Sequence, residues 1–434
     1  GIRDLVRSRG LGDVYKRQER TIKDILAKIA QTPIPEVKKC AIAFSGGLDS
    51  TLGIEMLRRI YKVKEIVAIN VDVGQGEEEI TMGRERAQQL NLKPIVIDAR
   101  DEFTEEWLRK AIQANSDYNG YPVSTSMTRQ LIARIVAIKA KELGCDSILE
   151  GSTGRGNDQY RMHNVFKYFA PELEILVPVR DFDLTRGQEL ELCKEWGVPV
   201  EEFIVGGDDK TMWCRSIASG AVDLNQEISD DIWMWYVPPE KAPDTPEYLE
   251  LTFEEGVLTA VDGKKMKLAE SIPHINTVAG RNGIGLIDVF EDGIMDLKSR
   301  EMYEAPAAHV ILKVKQDIEG ACLTKDERQF KKMVDARWAM MVYHGEWFHP
   351  LKADLDAFIA QSQKTVFGVT KVKLYKGTIT IVERNRPHSS LFYPEIRSIK
   401  SAGFDQRWCG NAAKVRGLPF EILAKRNDKL AKGK

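Results

Sequence analysis

Cys40-Ala41-Ile42-Ala43-Phe44-Ser45-Gly46-Gly47-Leu48-Asp49-Ser50-Thr51, in one-letter form CAIAFSGGLDST, is the stretch that decides how this chain folds. The apolar run Ala41–Phe44 halts at Ser45-Gly46-Gly47, and apolar residues then recur at Leu48, Leu52, Met56 and Ile60. That spacing predicts a buried strand, a tight turn and a helix. Two adjacent glycines let the backbone turn sharply and approach a ligand with no Cβ in the way. The free amides of the turn and first helical turn, together with the positive end of the helix dipole, then suit a phosphate. No lysine stands at the helix start, so the loop differs from the GxxxxGK[ST] pattern that draws on a γ-phosphate. The alternative is a plain Gly-rich turn in which Asp49 only caps the helix.

Working outward, strands are expected at Ile66–Val71, Pro94–Asp98, Ser147–Glu150 and Glu174–Val179. Between and around them, helical patterns cover about Thr21–Ile29, Glu78–Leu90, Glu102–Asn115, Met127–Leu143 and Arg186–Trp196. Short strands alternating with helices predict an α/β fold with a mostly parallel sheet and helices on both faces. Ligands gather outside the carboxyl ends of such strands, so the loops after the first, second and fourth should meet at one site. After Gly206-Gly207 the character changes. Pro238, Pro239, Pro243 and Pro246 punctuate a linker-like run. Hairpins are then expected at Tyr248–Phe253 with Val257–Val261, at Gly285–Phe290 with Ile294–Lys298, and at Lys371–Tyr375 with Thr378–Glu383. A helical block from Lys325 to about Gln363 lies between the last two, completing a second α+β domain. The expected boundaries are 38–205 for the first domain, 206–424 for the second and a basic tail over 425–434. Residues 1–18, GIRDLVRSRGLGDVYKRQ, resemble translated adaptor sequence and are expected to be a non-native appendage.

With 434 residues, the chain has room for two or three domains. A net charge of −2 and a pI near 6.4 provide no basic field for nucleic acid. The six cysteines (Cys40, Cys145, Cys193, Cys214, Cys322, Cys409) include no CxxC pair, which fits a reduced, cytoplasmic protein. His344 and His349 in HGEWFH lack metal-ligand spacing, and no metal site is expected. No apolar run approaches bilayer-spanning length.

The fourth strand runs into GSTGRGNDQYR, Gly151 to Arg161. Three glycines among hydroxyl, amide and charged side chains suit a loop that wraps polar ligands. Its hydroxyls and amides can read a zwitterion, with Asp158 accepting from an ammonium and Arg161 forking a carboxylate. A surface loop with an Asn-Asp turn is the other reading.

SGGLDST resembles the pyrophosphate-binding loop of the ATP pyrophosphatase (PP-loop) superfamily. In order along the chain, SGGLDST, DVGQ (Asp72–Gln75), YPVSTS (Tyr121–Ser126), GSTGRGNDQYR, WCRS (Trp213–Ser216) and KSREMYEAP (Lys298–Pro306) are similar to argininosuccinate synthase. The match covers roughly Lys38 to Leu423 and includes WFHPLKADLDAFI and KLYKGTITIV. The resemblance implies a first domain of the adenine nucleotide alpha-hydrolase-like type and a second that supports multimerisation. It implies an arginine-biosynthetic ligase that uses ATP with Mg2+, joins citrulline to aspartate through citrullyl-AMP, and forms a homotetramer. By the same resemblance, ATP contacts fall on Ala43, Phe44, Ser45, Gly46, Gly47, Leu48, Asp49, Ser50, Thr51, Val71 and Gly151. Citrulline contacts fall on Tyr121, Ser126, Asn157, Arg161, Ser216, Glu291 and Tyr303, and aspartate contacts on Thr153, Asn157 and Asp158. No covalent catalytic residue is implied, because both amino acids are themselves nucleophiles.

The chain departs from the pattern in places. Ser50-Thr51 reverses the family's more frequent Thr-Ser, Gly207 stands where a serine is usual, and Ala305, Ala307 and Ala308 replace common Thr and Gly residues. Two other readings stay open on residues alone. One is a nucleobase- or tRNA-modifying relative, which would call for a basic or aromatic surface or a catalytic Cys pair. The other is a non-catalytic binding module, which would be expected to lose the loop glycines or Asp49, Asp158 and Arg161.

Overall fold

The structure is a computed structural model that describes residues 22–199, 208–217, 228–385, 389–398, 400 and 403–433. Residues 1–18, expected to be an appendage, and Gly207 lie outside these residues. The chain divides into two compact units, one up to Ser389 and one from Ser390.

In the first unit, strands β1 (Lys39–Ala43), β2 (Glu65–Asp72), β3 (Ile95–Asp98), β4 (Ser147–Leu149) and β5 (Glu174–Leu176) form one parallel sheet in the order β3-β2-β1-β4-β5. The strand expected to continue to Val179 instead ends at Leu176. Pro178 supplies no amide to the ladder and starts a short helix, Pro178–Asp181. β1 lies at the centre, and its side chains alternate between two cores. Ala41 joins the core that holds Ile69 and Ile148, while Cys40 and Ile42 join the one that holds Ala68 and Leu149. The helix after β1, α1 (Leu48–Arg59), buries Leu52 and Met56 in the second core; α2 (Glu77–Gln89) follows β2. Opposite, α3 (Thr125–Glu142) buries Met127 and Leu131 in the first core. α4 (Asp158–Phe169) and α5 (Arg186–Trp196) follow β4 and β5. The strand order turns back between β1 and β4, and that switch point opens a crevice at their carboxyl ends.

The rest of the unit is antiparallel. β8 (Glu247–Glu254), β9 (Val257–Val261), β10 (Lys264–Lys265), β13 (Gly368–Tyr375) and β14 (Thr378–Asn385) make one sheet. β6 (Asp208–Lys210), β7 (Arg215–Ile217), β11 (Leu286–Asp292) and β12 (Lys298–Glu304) make another, ordered β11-β12-β7-β6. The hairpin expected to return over Ile294–Lys298 returns later. Gly293 N–H bonds Leu297 O, Asp296 adopts a φ of 57°, and pairing resumes at Lys298. The polar run KSREMYE is therefore itself a strand. Helices α6 (Leu268–Arg281), α7 (Pro306–Cys322), α8 (Lys325–Tyr343) and α9 (Pro350–Gln363) pack around these sheets. In the second unit, the expected tail is part of a helix, α10 (Trp408–Lys432).

One buried carboxylate fastens the second sheet to the segment that precedes β8. Glu304 is fully buried and accepts the amides of Met234, Trp235 and Tyr236 at 3.0, 2.7 and 2.8 Å while pairing with Arg215. Glu304→Gln replaces an acceptor with a donor among these N–H groups. We expect a loss of about 3 kcal/mol in denaturant unfolding. A loss below ~1 kcal/mol would show that the cluster does not anchor the segment.

Candidate active site

At the crevice, Phe44 continues the ladder by donating its amide to Ile69 O at 2.8 Å, and the chain then turns at Gly46 with a φ of 83°. A Cβ on Gly46 would stand 2.8 Å from Gly83 Cα on α2, so glycine alone fits. Gly47 begins α1 in an extended conformation with no side-chain cap, and its carbonyl accepts the Ser50 hydroxyl at 3.1 Å. The first-turn amides of α1 have no intrahelical partner and point into the crevice. The hydroxyls of Ser45 and Ser50 lie 3.3 Å apart beside them. From α5, Arg186 reaches across to Asp49, Nη1 to Oδ1 at 2.5 Å. Burial and the Asp49 carboxylate push the neighbouring Glu189 up to about 9.

The loop after β4 reaches from this cradle to a second cluster. Gly151 packs on α1, where an added Cβ would stand 3.6 Å from both Asp49 Cβ and Ser50 N. At the far end of the loop, Asn157 Nδ2 donates to the Tyr343 hydroxyl at 2.8 Å, and its Oδ1 accepts the Ile294 amide at 3.0 Å. Arg161 donates from Nε to Tyr343 O at 2.9 Å and lies over the Tyr343 ring at 4.6 Å. Gly345, with a φ of 82°, permits this contact, since a Cβ there would stand 2.6 Å from Arg161 Cα.

Glu291, on β11, is the centre of the second cluster. Tyr303 donates to its Oε2 at 2.6 Å, and Tyr343 donates to its Oε1. Burial still raises Glu291 above the usual carboxylate range despite both bonds. The Tyr303 ring stacks on Tyr121 at 4.4 Å, and Tyr118 stacks on Tyr343 at 4.0 Å. Strand register places Ser216 directly opposite Tyr303. Asp158 sits between guanidiniums, bonded to Arg161 at 3.0 Å and to Arg129 at 2.8 Å. Burial opposes its ionisation, yet the two arginines hold its carboxyl below the usual range.

Six of the seven side chains expected around citrulline therefore converge through direct contact or strand register, and Ser126 lies in the first turn of α3. Tyr121 differs in one respect. Its hydroxyl is occupied at the start of α3, accepting the Ser124 and Thr125 amides at 2.7 Å each, so the ring is the part turned to Tyr303. Sequence reasoning missed Tyr343, Arg129, Arg186 and Glu150. Arg129 was legible, because it follows Ser126 by one helical turn on α3. Tyr343 carries no motif; it enters through the packing of Gly345. Ala305, Ala307 and Ala308 are buried at the start of α7, where the Ala307 amide bonds Asn276 Oδ1 at 2.8 Å.

Several buried polar atoms around the crevice have no hydrogen-bond partner: Asn70 Oδ1, Ser126 Oγ, Glu189 Oε2 and both carboxyl oxygens of Glu150. Unpaired buried groups are rare in folded proteins, and their gathering here suits a site that polar ligands complete. Burial pushes Glu150 up to about 8. Burial disfavours the thiolate at three cysteines, raising Cys40 and Cys193 to about 12 and Cys145 to about 11. Among the described residues, no group of three His, Cys, Asp or Glu side chains is placed to hold a metal, and no helix is long and apolar enough to cross a membrane.

Residues 39–199 match the model of the arginosuccinate synthase N-terminal HUP domain, and residues 207–423 match that of the arginosuccinate synthase C-terminal domain. The chain is 39% identical over 394 residues to an argininosuccinate synthase of Methanopyrus kandleri, covering 90% of this chain and 100% of that protein. It is 40% identical over 391 residues to one of Methanocaldococcus jannaschii, covering 89% and 98%.

The unpaired Glu150 carboxyl predicts a pH signature. It ionises at about 8 in the fold against an ordinary 4.5, so between these values the folded state keeps a proton that the unfolded state has lost. Stability therefore falls as pH rises through that window. Glu150→Gln cannot ionise, so its stability relative to the parent should climb from pH 4.5 to 8, at up to ~1.4 kcal/mol per pH unit, then level off. Denaturant unfolding at pH 5, 6.5 and 8 measures the difference. A difference that stays constant across pH would contradict the assignment.

Proposed function

The chain belongs to the argininosuccinate synthase family, and on that premise we propose that its ATP-dependent ligation of citrulline and aspartate runs in two steps through citrullyl-AMP. In the first, the ureido oxygen of citrulline attacks the α-phosphorus of ATP, and the α–β bridging bond breaks to release pyrophosphate. In the second, the aspartate amine attacks the ureido carbon and AMP departs with the ureido oxygen.

The observation that carries this reading is the single segment Gly151–Arg161, the loop after β4 and the first turn of α4, which touches α1 just past the turn at Gly46 at one end and the Glu291 cluster at the other. Ala43 to Thr51, Val71 and Gly151 would hold the nucleotide. Amides and hydroxyls there suit phosphoryl oxygens. Tyr121, Ser126, Asn157, Arg161, Ser216, Glu291 and Tyr303 would take citrulline, with Glu291 suited to its ammonium and Arg161 to its carboxylate. Thr153, Asn157 and Asp158 would take aspartate. Magnesium would arrive on the phosphates, where it offsets their charge, and Asp49 beside the loop can add a carboxylate oxygen. Catalysis on this reading is alignment and charge stabilisation, which needs no protein nucleophile. We also read the chain as a cytoplasmic homotetramer. Self-association is supported by α10, which exposes Trp408, Val415, Phe420 and Ile422.

Citrulline carrying heavy oxygen in its ureido group should yield labelled AMP and unlabelled pyrophosphate, one label per turnover. ADP as the nucleotide product, or label in free phosphate, would exclude the mechanism in favour of γ-phosphoryl transfer.

A further inference from the structure

The loop SGGLDST carries one charged side chain, Asp49, and its charge is negative. A departing pyrophosphate gathers negative charge as its bond to the α-phosphorus breaks, and backbone amides supply only partial positive charge against it. A full positive charge must come from another element. Arg186 is placed to bring it. It is the first residue of α5, whose start is fixed by a capping box in which the Gln188 amide donates to Thr185 Oγ1 at 3.4 Å and the Thr185 amide donates to Gln188 Oε1 at 3.0 Å. Its guanidinium stands 2.5 Å from Asp49 and 4.0 Å from Glu189 Oε2, an oxygen that makes no hydrogen bond. The side chain is 46% exposed, and its bond to Asp49 uses Nη1 alone. An arginine has five N–H donors, so Nε and Nη2 remain for a second anion.

We propose that Arg186 is the pyrophosphate clamp of this site, exchanging Asp49 for the β- and γ-phosphate oxygens when ATP binds. The inference rests on the ATP-splitting reaction proposed above. As the ureido oxygen bonds the α-phosphorus, the electron pair of the α–β bridging bond leaves with pyrophosphate. Arg186 keeps all its protons and donates hydrogen bonds to the departing group. Between turnovers the Asp49 pair parks the guanidinium at the rim of the cradle, which spares α5 any movement. The planar fork suits two adjacent phosphates better than a point charge does.

Calorimetry on the full chain, titrating pyrophosphate and AMP separately, tests the clamp. Arg186→Gln should weaken pyrophosphate by at least about tenfold and leave AMP, which lacks the β- and γ-phosphates, unchanged within about twofold. Arg186→Lys should fall between Gln and the parent. Titrated without magnesium, so that no cation depends on the Asp49 carboxylate, Asp49→Asn frees the guanidinium and removes a repelling charge, and it should bind pyrophosphate at least as tightly as the parent. Equal weakening by Arg186→Gln and Asp49→Asn would show that the pair only shapes the loop, and would overturn the proposal. Pyrophosphate that binds the parent no more tightly than Arg186→Gln would overturn it too. A parent that forms no AMP from citrulline, aspartate and ATP refutes the reaction, while the contrast between pyrophosphate and AMP still decides the clamp.

Discussion

A Cβ on Gly46 would press to 2.8 Å from the Cα of Gly83, and one on Gly83 would come within 2.7 Å of Asn70 Nδ2. The first loop, α2 and β2 therefore meet through bare backbone, and only two glycines facing each other allow it. Because they do, Asn70 can reach over and donate to Phe44 O at 3.0 Å, tying the end of β1 to the end of β2. The turn at Gly46 then has one geometry open to it, and the α1 amides are aimed before any ligand arrives. Orienting donors in advance is what an electrostatic site requires, since nothing has to reorganise during reaction.

Charge is handled differently at the two ends of the crevice. In the Glu291 cluster, a buried carboxylate has both oxygens taken by tyrosine hydroxyls, and Asp158 is enclosed by Arg129 and Arg161. Their partners fix the orientation of these groups, while the remaining carboxylate lone pairs stay open to a ligand. Around the turn at Gly46 the contrast is plain: neither oxygen of Glu150 makes a hydrogen bond, and Glu189 Oε2 makes none. Burial raises both well above the usual carboxylate range, which weakens the negative charge beside the turn at Gly46.

The strand-turn-helix at Cys40–Arg59 was legible because a buried central strand and an amphipathic helix leave different periods in the sequence, with glycines marking the join. The irregular segment after β4 was legible for a related reason, as Gly151–Asn157 is too polar and too glycine-rich to be core. What stayed hidden was set by packing between distant segments. Tyr343 is an ordinary helix residue until Gly345 lets α4 approach, and KSREMYE reads as a polar stretch until it pairs with β11 and β7. Pro306 marks the start of α7, but the buried Ala307 and Ala308 behind it give little periodic signal on their own. Arg186 belongs to a charged helix far along the chain, and only the parallel order β3-β2-β1-β4-β5 brings its end to Asp49.

Coupling the two clusters through one loop has a consequence for the order of events. Gly151 bears on the first turn of α1, while Asn157 and Arg161 bear on Tyr343 and so on Glu291. A displacement at either end is felt at the other, since fewer than a dozen residues separate them and both ends are tied to rigid elements. On the proposed chemistry, an activated citrulline would be lost to water if it formed in an open crevice. Closely stacked rings at 4.4 and 4.0 Å leave little room for solvent around Glu291. On that reading a nucleotide seated on α1 would lie against the same segment that borders the buried Glu291 cluster, so the reacting group would form beside side chains that exclude water.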